Sequence, residues 1–193
     1  MLENKLGVTD PALLAREEER ISKQKAIQLF ESGRLDELEA GSAAALLAIH
    51  KALFEDVYPF AGVIRTENIA KGSFRFAPVM YLEASLRHVE QMPQSSFEEI
   101  IEKYVEMNVA HPFREGNGRS TRIWLDLILK KNLKKCVDWS QIDKTKYLDA
   151  MRESVDDPHR ILELLQSALT DDIHSRELIM KGIDYSYYYE TED

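Results

Sequence analysis

Apolar positions recur at three- and four-residue spacing over most of this chain, the period of helices that bury one side. Thr9-Asp10-Pro11 reads as a cap followed by proline at the first helical position, and predicts a helix to about Ser32. A second helix is predicted from about Ser42 to Asp56, with Leu46, Leu47, His50 and Phe54 on one side. From Tyr58 to Pro78 the period is lost. Ser73-Phe74-Arg75-Phe76 alternates polar with apolar there, which suits a short extended segment or hairpin turning near Lys71-Gly72. Helical spacing resumes from about Leu82 to Gln91. It returns behind Ser96, a capping residue, where Phe97, Ile100, Ile101, Tyr104, Val105 and Asn108 share a face. After an interruption, RSTRIWLDLILKKN is so apolar through Ile123, Trp124, Leu127, Ile128 and Leu129 that its helix is expected to be buried. Further helices are predicted over about Ser140 to Val155, Asp157 to Leu169 and Asp172 to Lys181, followed by a last piece, IDYSYYYETED.

Scarce glycine and proline, Gly 8 and Pro 6, favour long helices over many-stranded sheets. No repeat, low-complexity tract or linker divides residues 1–193, so one mainly helical domain with one short β element is expected. A hydrophobic content of 44% with 31% charged residues is enough for a packed core. Lys+Arg 25 against Asp+Glu 34 gives a net charge of −9, which disfavours nucleic-acid partners. Cys136 stands alone, which excludes an intrachain disulfide and argues for a reducing, intracellular setting. The N-terminal stretch has no apolar h-region and no apolar run is long enough to span a bilayer, so a cytoplasmic protein without membrane contact is expected. His50, His88, His159 and His174 sit in helical contexts without metal-ligand spacing.

The interruption is HPFREGNGRSTR, His111 to Arg122, and a core needs little of it. Pro112 lacks an N–H and disfavours helical geometry at His111, so the upstream helix should end there, leaving His111 at the mouth of a loop. Gly116 and Gly118 with Asn117 can aim consecutive N–H groups at one point, and the loop feeds a helix N-terminus that favours an anion. Arg119 and Arg122, at i and i+3, project from one face of that first turn. Glu115 repels phosphate unless a hard cation such as Mg²⁺ lies between them. A base, a metal carboxylate, an anion nest and two cationic clamps together describe phosphoryl or nucleotidyl transfer.

These twelve residues resemble the Fic motif, HPFx[D/E]GNGRxxR, at every defining position, and LFEDVYPFAGVIR upstream resembles the family's lead-in. The resemblance implies an all-α Fic fold, a helical bundle with a short β-hairpin flap over the active site. It implies AMPylation, the transfer of AMP from ATP to a hydroxyl side chain of a target protein, the chain itself included among the candidates. By the same resemblance His111 is the base, Phe113 an apolar anchor and Glu115 the Mg²⁺ carboxylate. Gly116, Asn117 and Gly118 form an anion hole, and Arg119 and Arg122 grip the β- and γ-phosphates, with Ser120 and Thr121 inside the same nucleotide-binding stretch. The segment from Lys71 to Pro78 is the flap, whose strand edge can pair with an extended target. Lys71 is a candidate phosphate contact, Asn108 a nucleotide contact one turn before His111, and Leu148 and Met151 a candidate adenine wall.

The tail adds Ser186-Tyr187-Tyr188-Tyr189-Glu190, which resembles the family's inhibitory motif, [S/T]xxxE[G/N], in the class with a C-terminal inhibitory helix, here 183–193. Thr191 stands where glycine or asparagine is usual, a departure expected to loosen the helix end. A helix puts Ser186 and Glu190 one turn apart, and the resemblance implies that Glu190 pairs with Arg122 and misorients ATP. In some members the equivalent glutamate also supports removal of AMP from the target, so a pure brake and a deAMPylating helper both stay open. Fic-type transfer of another phosphate-linked group, such as phosphocholine or phosphate, is the alternative within enzymes. A non-catalytic interaction module is the alternative outside them. Gly118 favours AMP transfer, since kinase-type members commonly carry lysine there, and the intact motif speaks against the module.

Overall fold

In the computed structural model, which describes residues 2–72 and 74–190, the Asp10 side chain accepts from the Leu13 N–H and opens α1 (Pro11–Glu31). Ser42 caps α2 (Ala43–Phe54) in the same way, accepting from the Ala45 N–H. Strands β1 (Ala70–Lys71) and β2 (Phe74–Arg75) pair antiparallel, and Gly72 between them has φ +60°. Ser73, part of the predicted alternation, lies outside the described residues. Helix α3 (Val79–Gln91) starts ahead of the predicted Leu82 because the Asn68 side chain accepts from the Val79 N–H at 2.8 Å, supplying the cap that Pro78 cannot. A capping box of Ser96 and Glu99 starts α4 (Phe97–Ala110). Helix α5 (Asn117–Leu133) begins inside the motif, ahead of the expected Arg119.

Past α5 the predicted elements shorten and one lengthens. A short ribbon of β3 (Cys136–Val137) and β4 (Leu169–Thr170) was not expected; strands of two residues carry no alternation to read. Trp139–Gln141 is a 3₁₀ turn, so α6 (Lys144–Glu153) starts at the Asp143 cap, and α7 (His159–Ser167) follows. The expected break near Lys181 is absent, because α8 (Arg176–Tyr188) runs unbroken through Gly182. A Cβ at Gly182 would stand 3.3 Å from Trp139 Cδ1, so the small residue lets the helix lie close. Thr191 and the residues after it lie outside the described part.

The core is built on α4 and α5. Ile100, Ile101, Tyr104 and Met107 of the first meet Trp124, Leu125, Ile128 and Leu129 of the second, with Ile49, Leu53 and Phe54 of α2 closing one side. Each such side chain contributes about 1.5–3 kcal/mol when fully buried, so these helices make a stiff floor for the segment between them. Helix α8 lies along α1 and α5, joined to α1 by Lys23–Asp184 at 2.8 Å and Arg176–Glu31 at 2.5 Å. Tyr189, just past α8, donates its hydroxyl to the carbonyls of Trp139 at 2.7 Å and Ile142 at 2.9 Å. No helix among the described residues is long and apolar enough to cross a membrane.

Candidate active site

Helix α4 stops at His111, which takes the left-handed conformation at φ 48°, ψ 63°. Pro112 explains the exit from the helix but not its hand, since left-handed backbone is uncommon for a side chain with a Cβ. The surroundings supply the rest. Arg65, buried in the loop between α2 and β1, donates from Nε to the His111 carbonyl at 2.8 Å. Its Nη2 reaches the carbonyls of Ala77 at 2.6 Å and Ala110 at 3.2 Å, its Nη1 that of Glu67 at 2.7 Å, and its main-chain N–H that of Pro112 at 2.8 Å. The imidazole stacks on Phe76, which directly follows β2, ring centroids 3.6 Å apart. His111 Nδ1 lies 3.2 Å from the Asn108 carbonyl, which can only accept, so Nδ1 carries the proton and Nε2 keeps its lone pair. Burial pushes the His111 pKa down to about 4, against the upward pull of the Asn108 carbonyl and Glu190; Arg65 and Lys71 add to the lowering. The ring is therefore neutral at pH 7.

The loop after it is tied from several sides. The Asn117 side chain accepts from the Phe113 N–H and donates to the Phe113 carbonyl, both at 2.8 Å, and closes the loop on itself. Phe113 is buried and stacks on His50 at 3.7 Å. The Gly62 N–H donates to His50 Nδ1 at 2.8 Å, so the proton sits on Nε2, which donates to the Glu115 carbonyl at 2.9 Å. Gly116 has φ +77°, and a Cβ there would run into the Phe54 ring. A Cβ on Gly118 would collide with Glu190 Oε1 and crowd the Arg122 guanidinium.

Above this loop is a cleft of about 700 Å³. It brings together Lys71, Asn108, His111, Glu115, Gly116, Asn117, Gly118, Arg122, Leu148, Met151 and Glu190 of the residues expected from sequence, and adds Phe74, Phe76, Tyr147 and Arg152. Arg119, Ser120 and Thr121 are not on its wall among the described residues. Ser120 and Thr121 are buried and turn their hydroxyls back onto the first turn of α5, to the Gly116 carbonyl at 2.9 Å and the Asn117 carbonyl at 2.8 Å.

The two arginines have parted company. Arg119 is buried between the rings of Phe54 at 4.9 Å and Tyr187 at 5.0 Å, bonded to Glu18 of α1 and, at 2.9 Å, to Glu115. Glu18 also accepts from the Tyr58 hydroxyl, and Arg119 Nε has no partner among the described residues. Arg122 faces the cleft and the tail instead. Its Nη2 donates to Glu190 Oε1 at 2.6 Å and to the Ser186 carbonyl at 2.8 Å, and its Nε to Ser186 Oγ at 2.7 Å. Burial works to raise the Glu190 pKa, but Arg122 and Arg119 outweigh it and hold the carboxyl below its ordinary range. Arg65, His50, Glu18 and Tyr147 are the participants that sequence reasoning missed. The one local sign was an arginine closing the otherwise apolar run FAGVIR.

Among the described residues no group of three or more His, Cys, Asp or Glu could hold a metal ion unaided. The Glu115 side chain is 41% exposed at the cleft, with Oε1 taking the Gly116 N–H at 2.9 Å as well as Arg119. This donor set fits a hard cation held by one carboxylate and completed by a ligand's own oxygens.

The sequence pattern of the Fic/DOC family matches residues 40–129. The chain is 32% identical over 164 residues to the protein adenylyltransferase VbhT of Bartonella schoenbuchensis, over 78% of this chain and 33% of that protein. It is thus similar to about a third of VbhT's length. It is 28% identical to y4lH of Sinorhizobium fredii, a probable protein adenylyltransferase, over 80% of this chain and 83% of that one. In three dimensions it resembles BepC of Bartonella tribocorum, solved with bound AMPPNP, with a TM-score of 0.72 and 21% identity over 88% of this chain and 92% of that one. The N-terminal Fic domain of a VirB-translocated effector from Bartonella quintana, solved with bound ADP, has a TM-score of 0.72 and 22% identity over 94% of each chain. The architecture is the mostly helical Fic fold.

Proposed function

We propose that this chain, which belongs to the Fic/DOC family, transfers AMP from ATP to a hydroxyl side chain of a protein and is restrained by Glu190. The observation that carries the reading is one cleft holding a neutral His111, the 116–118 start of α5 and Arg122. The names of VbhT and y4lH support the activity, and the nucleotides bound in the two solved relatives support the ligand.

A target hydroxyl entering beneath the flap gives its proton to His111 Nε2 while its oxygen bonds to the α-phosphorus. The bond from that phosphorus to the bridging oxygen breaks, and pyrophosphate leaves with the electron pair. Main-chain N–H groups at the start of α5 meet the developing phosphate charge, and Arg122 meets the leaving group. Mg²⁺, held by Glu115 and phosphate oxygens, would supply charge neutralisation on the polyphosphate. The stacked Phe76 and the Asn108 carbonyl keep one imidazole face and one tautomer in place throughout.

Restraint follows from Arg122, which gives Nη2 to Glu190 and so offers the outer phosphates a clamp that is already engaged. The inhibitory element is the end of α8, with Ser186 holding the same guanidinium at two atoms. Glu190 also lines the cleft that His111 lines, which supports a second use of its carboxylate, orienting water to remove AMP from a modified target. The decisive test of the transfer reading is His111→Ala. With labelled ATP and a lysate, transfer should fall by about 10²–10⁴ while nucleotide binding persists. Near-normal transfer by the folded variant would sink the assignment.

A further inference from the structure

Arg65 lies outside the motif, yet it holds the motif's first residue. Its guanidinium and N–H reach five main-chain carbonyls in three places: Glu67 in its own loop, Ala77 at the foot of the flap, and Ala110, His111 and Pro112 where α4 ends. The last carbonyls of a helix have no partner within it and usually turn to water or to a small cap. Here a rigid planar fork takes them, and the same fork takes the flap. The Ala77 N–H completes the link by donating to the Val109 carbonyl at 3.0 Å. Among the described residues the side chain of Arg65 bonds only to main chain, and burial alone drives its pKa down. A buried charge without a carboxylate is unfavourable unless its donors are used, and all four hydrogen bonds of the Arg65 guanidinium among the described residues go to backbone.

We propose that Arg65 is a positioning residue for the transfer reaction, locking the left-handed His111 and the foot of the flap to a single point so that base and target-binding edge keep one relative placement. This rests on the reading of His111 as the base. None of the carbonyls it takes belongs to the 116–118 start of α5, so nucleotide binding and base placement are separable. The charged groups that bear on His111 come from three elements: Arg65 from its loop, Lys71 from β1 and Glu190 from the tail.

The test uses the full chain with Arg65→Lys and Arg65→Met beside the unchanged protein. Lysine keeps the charge but cannot span separate carbonyls as the fork does. Transfer at saturating ATP should fall on the order of 10²-fold in both variants, the effect of misplacing a catalytic group by about 1 Å. ATP affinity should stay within about threefold, a kcat effect rather than a binding effect. In an NMR titration of the labelled ring, His111 should move up from about 4 toward its ordinary 6.5 in Arg65→Lys, where the charge is kept, as the imidazole leaves its buried stack. Amide exchange at Ala77 should quicken in both. If Arg65→Met does not fold, Arg65→Lys decides alone, by rate and Ala77 exchange. A folded variant with unchanged transfer, or one that loses ATP affinity and rate together, overturns the proposal. Should even the Glu190→Gly protein transfer nothing, the reaction reading fails by itself, while the His111 titration and Ala77 exchange still decide on Arg65.

Discussion

Replacing Glu190 with glutamine keeps the side chain's size and removes its charge, so it isolates the restraint on Arg122. The Arg122 side chain is 3% exposed and that of Glu190 29%, with Nη2 and Oε1 2.6 Å apart. Unit charges about 4 Å apart interact by about 4 kcal/mol at an effective dielectric near 20. Partial exposure of the carboxylate screens that figure, and glutamine still accepts one hydrogen bond, which leaves about 2 kcal/mol tied to the charge. Because 1.36 kcal/mol is a factor of ten, the ATP concentration for half-maximal transfer should fall about thirtyfold. Arg122 loses one partner but keeps Ser186, so the ATP-free protein should melt about 4–8 °C lower, and added ATP should restore more stability than in the unchanged chain. The pH window follows from the depressed Glu190 pKa. Its contribution is fully present above the ordinary value of 4.5 and is lost only as pH falls through the lower folded value, so assays at pH 7 see all of it. Titrating ATP against AMP incorporation, in protein with and without Arg122→Ala, separates the outcomes. An unchanged ATP dependence, or an equal gain when Arg122 is already absent, would refute a brake acting through this pair.

Two other substitutions test the surroundings. Arg119→Ala leaves Glu18 as a buried carboxylate without its cation, which should destabilise the fold by about 3–5 kcal/mol in chemical denaturation. An Arg119→Ala protein as stable as the unchanged chain would refute a structural role for the pair with Glu18. His50, its pKa pushed by burial down to about 4 from 6.5, stays neutral in the fold while the unfolded chain protonates it. Stability should therefore decline as pH drops from about 6.5 to about 4 and level off below, by about 3 kcal/mol for this ring alone. His50→Gln should flatten that slope in urea titrations, with His111 supplying a remainder, and an unaltered slope would remove His50 from the account.

The helices were legible because their cause is local. Ser42, Ser96 and Asp10 cap within three residues of themselves, and the apolar period needs no distant partner to be read. Gly182 shows the limit: a glycine after Lys181 reads as an ending, yet α8 runs through it, and the room it leaves is taken by Trp139, far off in sequence. The motif was legible for the same reason as the helices, since His111 to Arg122 is one continuous turn of chain. The spacing of Arg119 and Arg122 foretold a shared face of α5, but their partners come from opposite neighbours, Glu18 on α1 and Glu190 beyond α8. Arg65 and His50 escaped notice because they act on main-chain carbonyls, and a carbonyl leaves no mark in the sequence.

Gly118 sits in ordinary helical backbone, so its conformation alone does not ask for glycine. What asks for it is room, since a Cβ would strike the Glu190 carboxylate and press close to the Arg122 guanidinium. The hollow left by one missing methyl group is thus a keyhole, filled by the tail's carboxylate and, under the proposed transfer, offered to a phosphate. Alanine at 118 would act as a wedge. It would press on the Glu190 carboxylate, the movable end of a side chain, without altering any charge, and under the proposed transfer it would crowd a phosphate at the same place. A chain lacking the tail glutamate would feel only the second effect, and the difference between the two backgrounds measures how much of that hollow belongs to the tail.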